Sequence, residues 1–232
     1  MELLELKKAC EDHGLVITDK MLEQFDRYAQ LLIEWNQKMN LTAIVEYDKI
    51  IEKHFYDSIL CLLQEDIQGK VADVGSGAGF PSLPMKIVRP DLAIEIIEPL
   101  QKRCTFLNVV VDSLGLSDVK IINARAEDHA KDHRESYDVV CARAVANMAM
   151  LSELCIPLVK KGGMFVALKG SDGHNEYQKA QNALQKLGVE LKSCYEDKLL
   201  DGSMRINFYF SKVKHTPMMY PRAFAKIKKQ PL

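Results

Sequence analysis

Asp73, Gly75, Gly77 and Gly79 fall at alternate positions in the stretch Val71-Ala72-Asp73-Val74-Gly75-Ser76-Gly77-Ala78-Gly79-Phe80-Pro81-Ser82-Leu83-Pro84. Val71, Ala72 and Val74 suit a short buried strand, the glycines let the backbone turn tightly, and Lys86-Ile87-Val88 resume as helix. Glycines leave no side chain between a loop and its ligand, and amides at the start of the next helix can donate hydrogen bonds to that ligand. The stretch reads as a loop that binds something through backbone. A phosphate loop would end in Gly-Lys-Ser/Thr, and a dinucleotide loop would place a third glycine three residues after the second; neither pattern is here.

The pattern Asp73-x-Gly75-x-Gly77-x-Gly79 resembles motif I of the Rossmann-like S-adenosylmethionine methyltransferases. There the acidic residue lies near the cofactor's cationic end and the glycines pass under its ribose and methionine. A glycine-rich turn in an unrelated α/β protein is the plainer reading of the loop by itself. Further candidates stand at the ends of expected strands. Glu98 comes 19 residues after Gly79, where a carboxylate accepts hydrogen bonds from ribose hydroxyls. Ala126-Glu127 occupy the place where such folds hold adenine, and Arg143 the place that meets the methyl acceptor. That last place has neither Asn/Asp-Pro-Pro-Tyr/Phe nor Pro-Cys, which argues against exocyclic-amine and cysteine-dependent cytosine methylation. His54 and Asp57 are three apart and can share a helical face. The chain alone reads His54 as a capping or packing histidine rather than an acid–base group.

The elements that must position these residues follow from hydrophobic spacing. Apolar residues from Leu3 to Ile33 recur at three- and four-residue spacing, predicting two amphipathic helices that end near residue 36, with Thr18 or Asp19 capping the second. Residues 35–44 break the pattern, and a further helix is expected over Asp48 to Leu63. Beyond the glycine loop, strands are expected at Ala93–Ile97, Val119–Ile122, Tyr137–Cys141 and Met164–Leu168. Helices are expected at Gln101–Leu114, Ala146–Val159 and Asn175–Leu187. Alternating strand and helix give a parallel doubly wound sheet whose ligands sit at the carboxyl ends of the strands. The last two strands, Val189–Tyr195 and Arg205–Phe210, have no helix between them and should pair as a hairpin, placing one antiparallel strand in the sheet.

Composition sets the outer limits. The 232 residues are 47% hydrophobic, with only 12 Gly and 8 Pro, which argues a folded globule. No window is apolar over the length of a membrane span and no signal peptide is evident, so the expectation is a cytosolic protein without a membrane partner. Six scattered cysteines lack ligand spacing and read as reduced thiols, with no metal expected. Charge is unevenly divided. Residues 202–232 hold seven Lys/Arg and no Asp or Glu, whereas residues 1–201 hold 24 basic against 32 acidic groups. A one-sided basic tail interleaved with Tyr220 and Phe224 is what a phosphate-tracking surface looks like, and equally what a merely soluble terminus looks like.

Taken jointly, the motifs resemble the ribosomal RNA small subunit methyltransferase G family, also called glucose-inhibited division protein B, over nearly the whole chain. The resemblance rests on Asn40-Leu41-Thr42-Ala43-Ile44, His54-Phe55-Tyr56-Asp57-Ser58, the glycine stretch, Lys102-Arg103, Arg125-Ala126-Glu127, Ala142-Arg143-Ala144-Val145-Ala146, Lys169-Gly170, Tyr220-Pro221-Arg222 and the closing Pro231-Leu232. It implies a seven-stranded, mostly parallel Rossmann-like methyltransferase fold with an N-terminal helical extension. The expected divisions are residues 1–65 for the extension, 66–213 for the methyltransferase domain and 214–232 for the basic tail. It implies methylation of N7 of one guanine in 16S rRNA, free or in a small-subunit particle, with S-adenosylmethionine. The implied cofactor residues are Gly75, Phe80, Ala126, Glu127 and Arg143, to which the loop and strand ends add Gly77 and Glu98. Arg143, Lys169, Arg222, Lys226, Lys228 and Lys229 are the candidates for the RNA. The chain departs from the family pattern in having Glu98-Pro99 for Asp-Ser, and Ala225-Lys226-Ile227 where the tail usually has Gly-x-Pro. Guanine N7 has a lone pair and no proton to lose, so positioning should dominate over base catalysis. An RNA-binding module with a vestigial loop, a dehydrogenase, and a methyltransferase acting at another RNA position are the alternatives.

Overall fold

The structure, a computed structural model, describes residues 1–143 and 146–232. The chain opens with α1 (Leu3–Glu11) and α2 (Asp19–Met39). Thr18 caps α2 by accepting a hydrogen bond from the Met21 amide. The helix runs past residue 36, where the sequence pattern was expected to break, because Trp35 still faces inward onto Phe106. It ends at Asn40, whose left-handed backbone (φ 48°) terminates the last turn. The next helical stretch comprises α3 (Tyr47–Ile50), a π-helical turn (Ile51–Tyr56) and α4 (Asp57–Gln64). One helix was expected there; the widened turn lies at the segment that carries His54, a position where such turns often mark function.

The sheet consists of β1 (Lys70–Val74), β2 (Ala93–Ile97), β3 (Val119–Ile122), β4 (Tyr137–Arg143), β5 (Val159–Lys169), β6 (Val189–Lys198) and β7 (Met204–Lys212). Its order is β3-β2-β1-β4-β5-β7-β6. β1 to β5 are parallel, and β7 is antiparallel to both of its neighbours. The hairpin therefore puts one reversed strand into the sheet, as the sequence implied. The remaining helices are α5 (Ser82–Val88), α6 (Gln101–Leu114), α7 (Ala126–His129), α8 (Met148–Cys155), α9 (Gly173–Leu187) and α10 (Phe224–Lys229). α8 is shorter than the expected Ala146–Val159 helix. A 3₁₀ turn at Ile156–Leu158 follows it, and β5 begins at Val159 because Val159 pairs with Tyr137 ahead of a register shift.

Alternation along each strand splits the core between the two faces of the sheet. Val71, Val139 and Val166 pack with Phe25, Phe55 and Phe106 on one face; Ala72, Val140 and Phe165 pack with Leu154, Leu184 and Ile227 on the other. The N-terminal helices share the first of these cores with the sheet, and the C-terminal helix shares the second.

Candidate active site

Val74 ends β1, and the chain then turns through Gly75 (φ 71°), Gly77 (φ 63°) and Gly79 (φ 101°). The Gly75 amide donates to the Ile97 carbonyl at 2.9 Å, and the Gly77 amide donates to the Glu98 carboxylate at 3.1 Å. These bonds bind the loop to the end of β2. Gly79 serves packing: a Cβ there would lie 2.6 Å from Leu83 and would also overlap the Tyr28 hydroxyl, which donates to the Ala78 carbonyl. Phe80 is buried, its ring stacked on His54 at 4.4 Å and on Tyr28, with the Arg143 guanidinium 4.9 Å from its centroid. Its side chain thus supports the loop by packing. Beneath the loop Asp73 is fully buried; one oxygen accepts from the Ser82 amide at 3.2 Å and the other has no partner among the described residues. Burial pushes its carboxyl up to about 7.

A cleft of about 490 Å³ opens beside the loop at the carboxyl ends of β1, β2 and β3. It is lined by Gly75, Glu98, Leu100, Ala126, Glu127 and Phe224, among others. Glu98 is buried, accepts from the Leu100 amide at 3.0 Å and lies 3.7 Å from Arg103. Glu127 is the second residue of the short α7 and lies 3.8 Å from Arg125. The structure therefore gathers Gly75, Glu98, Ala126 and Glu127 into one cleft, with Gly77 joined to it through Glu98.

A second pocket, about 550 Å³, lies at the ends of β4 and β5 and includes Lys53, His54, Asp57, Arg143, Lys169 and Arg205 in its lining. Asp57 is buried and bridges two arginines, accepting from Arg143 and from Arg205 at 2.9 Å each. Arg143 also donates to the Lys53 carbonyl at 3.1 Å and to Nδ1 of His54 at 3.1 Å. With Nδ1 accepting, the neutral ring carries its proton on Nε2 and donates to Thr42 Oγ1 at 2.9 Å. Burial, and next the Arg143 charge, push the His54 pKa down to about 3. Lys169 pairs with Glu176 at 2.8 Å and donates to the Ala146 carbonyl. His54 and Asp57 thus share a face as their spacing implied. Lys53 and Arg205 escaped the sequence reading, because nothing in a linear chain marks Arg205 as a partner of a carboxylate 148 residues away. Ala144 and Val145, part of the stretch that follows β4, lie outside the described residues.

The basic tail divides. Arg222 turns inward, forming a two-pronged pair with the fully buried Glu153 at 2.8 and 2.6 Å, so it anchors the tail on α8. Lys226, Lys228 and Lys229 are exposed on α10, while Ile227 of the same helix is buried. Cys10, Cys61, Cys104, Cys141 and Cys155 are buried free thiols, and Cys194 is half-buried. Among the described residues no three His, Cys, Asp or Glu come together to hold a metal ion, and no helix is long and apolar enough to cross a membrane.

Among solved structures, the fold is similar to a SAM-dependent methyltransferase from Aquifex aeolicus, with a TM-score of 0.55 and 17% identity over 71% of this chain and 93% of that one. It is also similar to M. jannaschii TYW2 in complex with AdoMet, with a TM-score of 0.50 and 15% identity over 62% of this chain and 69% of that one. At these identities the likeness establishes the Rossmann-like methyltransferase fold alone. Sequence relatives are nearer. The ribosomal RNA small subunit methyltransferase G of Lysinibacillus sphaericus is 48% identical over 93% of this chain and 92% of that protein. The Clostridium botulinum protein of the same name is 44% identical over 98% and 97%. Residues 21–200 match the GidB family, rRNA small subunit methyltransferase G. With a match spanning most of its length and relatives this similar end to end, the chain belongs to the ribosomal RNA small subunit methyltransferase G family.

Proposed function

We propose that this chain transfers the methyl group of S-adenosylmethionine to N7 of a guanine in 16S ribosomal RNA, free or within a small-subunit particle. When bound, the cofactor supplies a methyl group on a sulfonium, which needs only an aligned lone pair to accept it. The residues fit that group. Among the described residues a Cβ at Gly77 would meet only Arg103, at 3.9 Å, so the space against the loop is open to a ligand. Glu98 offers a carboxylate to ribose hydroxyls at the end of β2, and among the described residues one oxygen of Asp73 has no partner beneath the loop.

The observation that carries the reading is the commitment of every titratable group in the second pocket. His54 is held neutral with its lone pair on Arg143, Asp57 is bridged by two guanidiniums, and Lys169 is paired with Glu176. Among the described residues of that pocket each of these side chains already has a hydrogen-bonding or ionic partner. This suits an acceptor that has no proton to give, and it leaves the residues to position rather than to deprotonate. Arg143 and Lys169 present fixed cationic donors to the base or its phosphate. Methylation at N7 puts a positive charge in the guanine ring and makes its glycosidic bond labile to borohydride followed by aniline. The enzyme, labelled cofactor and unmethylated 16S rRNA should therefore give a strand cut at one guanine. RNA labelled but uncut would refute the N7 acceptor, and RNA bound without label would leave a binding module.

A further inference from the structure

We infer that Phe224, capped by Arg125, forms the wall against which the base of the bound nucleoside lies. The inference rests on the reading of the cleft as the S-adenosylmethionine site. Glu98 closes β2 on the cleft floor, and a carboxylate at that position takes the ribose hydroxyls. The same cleft is lined by Gly75 of the glycine loop, by Leu100 and by the Ala126-Glu127 turn, and the part beyond the ribose carboxylate is the space left for the base. Its lining there includes Leu154 of α8 and Phe224 of α10, so a residue of the C-terminal tail contributes to the cofactor cleft.

Phe224 packs against the second core, but two observations show that its ring is not what seats the tail. Ile227, three residues on and on the same face of α10, is already fully buried, and Arg222 already binds the buried Glu153. The tail is therefore seated without the ring of Phe224. The ring itself is only half-buried and lines the cleft, and the Arg125 guanidinium sits 5.4 Å from its centroid. An aromatic face beside a cation is the chemistry that receives a purine by stacking.

Calorimetry tests the inference with S-adenosylhomocysteine and with 5′-methylthioadenosine, which lacks the amino-acid arm. Phe224→Ala should weaken both by about tenfold, the range expected for loss of one base–aromatic stack. Phe224→Tyr, which keeps the ring face, should bind both as the native protein does. The affinity of a 16S rRNA fragment should not change in either variant, because Lys226, Lys228 and Lys229 stay in place. Equal nucleoside affinity in Phe224→Ala overturns the inference while leaving the cofactor reading intact. A parallel loss of RNA affinity also overturns it, since the ring would then be seating the tail. Failure of the native protein to bind either nucleoside would instead sink the cofactor reading itself.

Discussion

Gly77 and Gly79 are two residues apart in one loop, and their substitution should have opposite consequences. At Gly77, with φ 63°, the backbone lies in the left-handed region, and a Cβ would enter open space. Aspartate tolerates that region better than most residues, so Gly77→Asp should cost the fold only about 1 kcal/mol. Its side chain and charge would stand where the ligand meets backbone, beside the carboxylate of Glu98. At Gly79, φ 101° lies outside the left-handed well, and a Cβ would collide with Leu83 and with the hydroxyl of Tyr28. Backbone strain there costs about 1–3 kcal/mol and overpacking a similar amount. Displacing Tyr28 also forfeits its bond to the Ala78 carbonyl, worth about 1 kcal/mol. Gly79→Ala should thus lose about 4 kcal/mol, or about 12 °C in Tm for a chain of this size, against about 3 °C for Gly77→Asp. Scanning calorimetry measures the first difference, and titration with S-adenosylhomocysteine the second. Gly77→Asp protein that binds the nucleoside normally, or Gly79→Ala protein that melts within 2 °C of the native chain, as an order-of-magnitude threshold, would refute the assignment of roles within the loop.

Changing Lys226, Lys228 and Lys229 together to Gln should lower RNA affinity and reduce the slope of log affinity against log salt by about 2–3, with nucleoside affinity unchanged; filter binding across a salt series reads it, and an unchanged slope places the RNA surface elsewhere. Asp57→Asn removes the carboxylate between Arg143 and Arg205 and leaves both guanidiniums without their counter-charge, so urea unfolding should show a loss of about 3 kcal/mol; a loss under about 1 kcal/mol would mean that solvent already screens the pair. The Asp73 carboxyl, at about 7 against an ordinary 3.8, binds its proton more tightly in the folded chain than in the unfolded one. Its contribution to stability is present at low pH and declines as pH rises from about 4 to 7, by a few kcal/mol. Asp73→Asn should therefore match the native protein's stability near pH 4 and exceed it near pH 8, with weaker binding of the cationic cofactor. His54, whose folded pKa is depressed, acts in the opposite sense and is common to both proteins, so the difference between them isolates Asp73. A difference that does not change with pH would refute the buried-carboxyl reading.

The parallel sheet and the loop were legible because each rests on a local rule. Apolar runs of four or five residues separated by helical spacing give the parallel sheet, and alternating glycines give a turn whose φ angles are positive at 75, 77 and 79. Glu98 and Ala126 then follow from topology, since strand ends in this architecture face one crevice. The π-helical turn was hidden, because one extra residue in a turn shifts the phase of the helix without disturbing its apolar composition. The fate of the tail was hidden for a different reason. Seven basic groups in sequence look alike, and only the position of Glu153 inside an apolar helix hinted that one of them would be drawn inward.

The division expected near residue 65 does not divide the second pocket. His54 and Asp57 come from the N-terminal helices, Arg143 and Lys169 from β4 and β5, and Arg205 from β7, and the pocket needs all three sources. The same helices cover Phe80 with Tyr28 and Phe55, and accept the hydroxyl of Tyr209 on the Cys61 carbonyl. Cut away, they would leave Arg143 without its carboxylate and Phe80 without the rings that cover it. The glycine loop would lose the Tyr28 bond that fixes Ala78 between its last two glycines. The glycine loop and the second pocket are therefore joined through one set of side chains. Tyr28, Phe80, His54 and Arg143 run in contact from beneath the loop to the second pocket. Rigidity along that path is what a reaction governed by alignment requires, because the methyl donor and the acceptor must be held at a fixed separation by groups that do not themselves react.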